Sequence, residues 1–319
     1  MPLVTEAEAA AAAKQAGPTT KIAILVFNGV EIIDYTGPYE VFGAAGYDVY
    51  TVGKTKDQIT TAMGMTVVPK YSFADAPQPD VLVVPGGGVR TAQGDSVTLT
   101  WIKDETALIQ HTMSVCNGAF ILANAGLLNG LSATTTAGNI EKLRSEFPRT
   151  KVVSDQRYVD NGKIITTAGL SAGIDGALHV VSLISGAGYA EQVALIEEYD
   201  WKPRNTFVRG ALADRLIPDI NLGADYGKWD IVSTEGGTDN WESVFRGTSK
   251  KSATELMDHL AAPFAARGDW TAVSGGSGGS REWRLKDKDG TSWRGFLTIQ
   301  ESSSKSHEFE VRVKISKIS

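Results

Sequence analysis

One cysteine, Cys116, stands among 319 residues, so no intramolecular disulfide can form. A lone functional thiol is easiest to keep reduced in a cytoplasm, the expected compartment. Histidine is nearly as scarce, with four copies, and no His/Cys/carboxylate group has the spacing of metal ligands. No apolar run approaches the ~20 residues that span a bilayer. Basic residues are outnumbered, 31 Lys and Arg against 37 Asp and Glu, and a net charge of −6 argues against nucleic-acid binding. Internal repeats are absent. What remains is the composition of an ordinary water-soluble protein, 42% hydrophobic and 21% charged. Its length suits two domains at ~150 residues each. The Ala-rich residues 1–20 have no signal-peptide layout and read as a loose arm. A periplasmic location applies if an export signal preceded that arm.

From Lys21 the pattern alternates strands with helices. KIAILVF (21–27), YDVYTVG (47–53) and VLVVPGGG (81–88) read as strands, and Pro38 suits the first turn of a helix. Thr98 to Ile109 reads as a helix, Thr112 to Val115 as a strand, and Ala119 to Leu128 as a helix. KVVSD (151–155) and YVDNGKIITTAG (158–169) suggest an antiparallel excursion around Asn161-Gly162, followed by a helix over Ala172 to Ile184. Apolar β–α units of this kind predict an α/β domain over 21–201, a parallel sheet between helices. After Trp201 the composition changes. Residues 202–227 read as a connector with one helix. KWDIVST (228–234), SVFRGTS (243–249) and HEFEVRVKI (307–315) read as strands, Ser252 to Ala266 as a helix, and Asp289-Gly290 as a hairpin turn. Residues 202–319 are thus a connector and a small antiparallel α+β domain, with SGGSGGS (274–280) as a flexible segment. Trp283, Trp293 and Phe296 alternate with Arg281, Arg284 and Arg294. A stacking platform is one reading, but a half-buried hairpin with solvated arginines is the commoner arrangement. No helix-turn-helix pattern is present.

Three strand ends carry unusual chemistry. Cys116 stands between a strand and a helix, where helix N–H groups stabilise a thiolate and the corner resembles a nucleophile elbow. The alternative is a small core hydrophobe. Asp34 lies just ahead of the helix expected near Pro38, either as a cap or, with Gly37 capping, free to face the site. Pro85-Gly86-Gly87-Gly88 offers bare backbone N–H groups, or is simply a turn. Asn117 matters through its backbone N–H, which any residue supplies. Of the histidines, His111 lies ~15 Å back along its strand and His179 ~12 Å into its helix. His259 and His307 fall in the second domain. A Cys–Asp dyad therefore fits better than a Cys–His triad.

DYTGP (34–38), VLVVPGGG (81–88), SVCNGAFILANAGLLNGLSATTT (114–136) and TAGLSAGIDGALHVV (167–181) together resemble the ThiJ/PfpI superfamily, related to class I glutamine amidotransferases. The resemblance runs from Lys21 to Tyr199 and is nearest to isonitrile hydratases and the domains heading AraC-type regulators. It implies a flavodoxin-like fold, Cys116 as nucleophile and Asp34 as its carboxyl partner. Gly87 and Asn117 N–H groups would receive developing negative charge, with Gly86, Gly88, Thr136 and Leu170 around the pocket. Leu170 falls where a backbone contact to the thiol is expected. The implied reaction hydrates an isonitrile to an N-substituted formamide without a cofactor, Asp34 protonating the atom next to the attacked carbon and later activating water. A small-molecule substrate and a homodimer go with it. Two positions depart from isonitrile hydratases: Asn117 replaces Thr, and Thr136-Ala137 replaces a His-Trp pair. Glyoxalase-like hydration of small carbonyls, or a thiol redox or ligand sensor without turnover, are the competing readings.

Overall fold

The computed structural model describes residues 19–203, 207–273 and 279–318. The Ala-rich arm to residue 18 and most of the SGGSGGS segment lie outside the described residues. The chain divides into two compact units between Gly210 and Ala211.

The first unit is built on β1 (Lys21–Leu25), α1 (Ile32–Ala44), β2 (Asp48–Gly53), β3 (Tyr71–Ser72), β4 (Val81–Val84), α2 (Ser96–Leu108), β5 (His111–Ser114), α3 (Gly118–Asn124), α4 (Ile140–Glu146), β6 (Tyr158–Asp160), β7 (Ile164–Thr167), α5 (Ala172–Ser185) and α6 (Ala187–Ile196). Its sheet runs β6-β7-β5-β4-β1-β2-β3. Only β6 is antiparallel, joined to β7 through Asn161-Gly162, with Gly162 at φ 82°. Successive strand residues point to opposite faces, and both faces are covered. Ile22, Ile24, Val81 and Val83 pack with Phe42 and Val180, while Ala23, Leu25, Leu82 and Val84 pack with Ile102, Phe120 and Leu122. Burial on both sides is why these strands read as unbroken apolar runs. The order β2-β1-β4-β5-β7 is that of a flavodoxin-like sheet, whose direction reverses beside β1, and ligands of such sheets sit at the strand carboxyl ends there.

Several expectations are corrected here. Helix α1 begins at Ile32, so Pro38 is its seventh residue and Asp34 lies inside its first turn. Proline there forfeits the bond to the Asp34 carbonyl, at a cost of ~3 kcal/mol in an exposed helix. Packing offsets it: Tyr35, Val41 and Phe42 are buried, and a Cβ on Gly37 would stand 3.1 Å from Ile174 of α5. Helix α3 stops at Asn124 rather than Leu128. Lys151–Val152 leaves the main sheet and pairs in parallel with Ser132–Ala133. The connector holds short 3-10 turns, Arg209–Ala211, Ala213–Leu216 and Ala224–Tyr226, and no α-helix among its described residues.

The second unit is an antiparallel sheet ordered β8-β9-β13-β12-β11-β10, formed by β8 (Lys228–Gly236), β9 (Asn240–Thr248), β10 (Trp270–Ala272), β11 (Ser280–Lys286), β12 (Ser292–Glu301) and β13 (Glu308–Lys317). Helix α7 (Ala253–Arg267) packs on it. A capping box between Ser252 and Glu255 starts this helix, and Gly268, at φ 75°, ends it. Phe264 of α7 stacks on Trp283 at 4.3 Å between ring centres. Trp283 and Trp293 are buried, as a half-buried hairpin requires. Phe296 is not in that row. An odd separation from Trp293 turns it to the opposite face, where the Arg294 guanidinium lies 5.7 Å from its ring.

Candidate active site

The ends of β1, β4, β5 and β7 meet around Cys116. The residue has φ 57°, an uncommon backbone conformation for a side chain with a Cβ. Its N–H donates to Ala168 O at 3.0 Å, and the Thr135 hydroxyl donates to its carbonyl at 2.9 Å. The next turn is pressed onto β4. A Cβ on Gly118 would stand 2.2 Å from Val84 O and 2.8 Å from Pro85 O, both backbone atoms. Gly118→Ala is therefore expected to destabilise the protein by at least ~3 kcal/mol, since main chain in a buried strand cannot yield. A melting temperature within two degrees of the wild type would contradict this.

Asp34 is fully buried. Its Oδ2 accepts the Gly86 N–H at 3.1 Å, its Oδ1 accepts the Leu170 N–H at 3.2 Å, and a side-chain hydrogen bond joins it to the Cys116 thiol. Burial raises its pKa to about 6, against the pull of these donors. The part-buried thiol is pushed up to about 12, by burial first and then by the Asp34 charge. The Asn117 N–H and the Thr136 hydroxyl on the sulfur offset only part of this. The expected low-pKa thiolate is thus overturned, because burial and a neighbouring carboxylate outweigh two donors at a seven-residue helix. At neutral pH the proton rests on sulfur and the charge on Asp34.

The glycine loop also differs from expectation, for none of its N–H groups is bare. Gly86 donates to Asp34, Gly87 donates to Asn117 Oδ1 at 2.7 Å, and Gly88 donates to Gly29 O at 2.7 Å. Asn117 Nδ2 returns a bond to Gly87 O at 2.8 Å. The Asn117 side chain, noted in the sequence only as a departure from Thr, is therefore part of the site. Nothing in its type signals this, since the pairing depends on two strand ends meeting. Leu170, at φ 55°, directs its N–H to the carboxyl of Asp34 rather than to the thiol.

Gly86 is buried, whereas Thr136 and Leu170 line a cavity of about 210 Å³ with Ile140, Phe207 and Val208. Gly87, Gly88 and Asn117 line another of about 220 Å³. The loop bearing Leu170 is braced by Arg157, which is ion-paired to buried Asp175 and donates to Ser171 Oγ at 3.1 Å. The histidines are engaged elsewhere: His111 Nδ1 with Gly162 O, His179 Nε2 with Asp160, and His259 Nε2 with Asn221 O. Among the described residues no cluster of His, Cys, Asp and Glu could hold a metal, and no helix is long and apolar enough to cross a membrane.

Residues 20–183 match the DJ-1/PfpI family, leaving the second unit outside the match. The isonitrile hydratase of Pseudomonas putida is 35% identical over 181 residues, 56% of this chain and 78% of that protein. A crystal structure of a ThiJ/PfpI family protein from Pseudomonas syringae superposes with a TM-score of 0.54 at 34% identity, covering 59% of this chain and 78% of that one. Drosophila melanogaster DJ-1beta, 20% identical, shares the fold at a TM-score of 0.53 over 58% of this chain and 100% of its own. With its flavodoxin-like sheet and a part-buried cysteine just past the end of β5, this chain belongs to the DJ-1/PfpI family.

Proposed function

We propose that the first unit is a cysteine-dependent hydratase that converts a small isonitrile to its N-substituted formamide. The observation that carries this reading is the Cys116 thiol set against a fully buried Asp34, whose carboxyl is held in place by the Gly86 and Leu170 N–H groups. That pair can deliver a nucleophile and a proton together. An isonitrile carbon accepts both. Sulfur bonds to it as Asp34 takes the thiol proton, and the proton then passes to that same carbon, giving a thioformimidate, R–N=CH–S. The proton goes there and not to the neighbouring atom, because the electron pair left by addition sits on the attacked carbon. Water activated by Asp34 then adds to the C=N carbon. Expulsion of sulfur, which recovers its proton, leaves R–NH–CHO. The sum is one isonitrile plus one water, with no cofactor.

The similarity to an isonitrile hydratase supports the substrate class, and the cavity beside Thr136 offers room for a small substituent. A small-molecule substrate and pairing with a second copy are carried over from the family resemblance. Incubation with a small alkyl isonitrile, followed by proton NMR for the formamide, tests the reaction. Failure to form the formamide above the protein-free rate overturns it.

A further inference from the structure

We propose that the Asn117 carboxamide selects the electrophile, by occupying the Gly87 N–H, a backbone donor that addition to a carbonyl group would draw on. The proposal builds on the hydratase reading and concerns the same thiol.

Two observations carry it. The Asn117 side chain is pinned at both ends to one residue, accepting the Gly87 N–H at 2.7 Å and donating to Gly87 O at 2.8 Å. The loop also leaves space for it: a Cβ on Gly86 would stand 2.2 Å from Asn117 Oδ1, so only glycine there admits the carboxamide. The sulfur keeps the Asn117 N–H and the Thr136 hydroxyl as donors, but the Gly87 N–H is spent.

The two electrophiles differ in where charge appears. When the thiol adds to an aldehyde, the S–C bond forms as the C=O π pair moves onto oxygen. That oxygen takes the thiol proton, giving R–CH(OH)–S, and the developing alkoxide depends on N–H donors aimed at it. Addition to an isonitrile puts the pair on carbon, where the proton from the thiol neutralises it, and no oxyanion forms in that step. A site whose Gly87 donor is filled by its own side chain therefore disfavours carbonyls and leaves isonitrile addition unimpeded.

Asn117→Ala and Asn117→Ser keep the backbone N–H and remove the bridge to Gly87. With methylglyoxal as probe, hemithioacetal formation is read as protection of Cys116, the sole thiol, from a chromogenic disulfide reagent. Both variants are expected to add the aldehyde at least tenfold faster than the wild type, toward the ~10²–10³-fold span of one such donor. Isonitrile turnover should show no matching gain. Folded variants, verified by melting curves, with no increase in aldehyde addition overturn the proposal. A second readout needs no variant. In the wild type, the Gly87 amide resonance is expected to stay in place when methylglyoxal loads Cys116, and a downfield shift into a new hydrogen bond overturns the proposal. A wild type that forms no formamide sinks the hydratase reading instead, and leaves the aldehyde comparison intact.

Discussion

Replacing Cys116 with serine is expected to lower isonitrile turnover at least ~10³-fold, to the limit of detection. Serine preserves the size of the side chain and tolerates the φ of 57° no worse than cysteine, so the corner held by Ala168 O and Thr135 should remain. What changes is the nucleophile. A hydroxyl is a far weaker acid than a thiol, and the Asp34 carboxylate, with its pKa near 6, is too weak a base to remove its proton. No other cysteine can substitute. Formamide release is the assay, with a melting curve to show that the variant is folded. Residual turnover above one tenth of the wild type would remove Cys116 from the mechanism.

Asp34→Asn is expected to lower kcat/KM by ~10²–10⁴, the usual worth of a positioned acid–base group. It also supplies a test that a structural role would not move. Burial raises the Asp34 carboxyl to about 6, so below that pH it is protonated and cannot take the thiol proton. The wild-type kcat/KM should therefore climb as pH rises through about 6 and then level off. The thiol, pushed up to about 12, adds no second limb in the working range. In the asparagine variant the limb near 6 should vanish along with the activity. A limb that persists unchanged would assign it to another group and dismiss Asp34 as the base. Asparagine also turns an N–H₂ toward either the Gly86 or the Leu170 N–H, two donors that now share one acceptor oxygen. Some loss of stability is thus expected, and the pH profile separates that from the loss of a base.

The strands were legible because burial on both faces writes continuous apolar runs, as in VLVV at 81–84. The Asn161-Gly162 and Asp289-Gly290 turns were legible because only a few residue types tolerate their backbone angles. The start of α1 was misread, because Pro38 is a local signal for a first turn while the helix is held by distant contacts, Gly37 against Ile174 among them. Phe296 was grouped with the wrong face, although its odd separation from Trp293 along one strand already turns it to the other side, because aromatic type was weighed ahead of strand alternation.

Cys116, Asp34, Gly87, Asn117 and Leu170 could all be singled out in the linear chain, from residue type, strand-end position and motif resemblance. Their roles toward one another could not. Sequence alone determined the order of β–α units and which side chains stand at the carboxyl ends of strands, since both follow from local periodicity and chain order. Only the tertiary structure decided that the thiol is raised rather than lowered, because that depends on burying it against Asp34, 82 positions away in the chain. It alone decided that the Gly87 donor is filled by the Asn117 carboxamide. Hydrogen bonds and desolvation act across space, between strand ends that the sheet brings together and the sequence keeps apart.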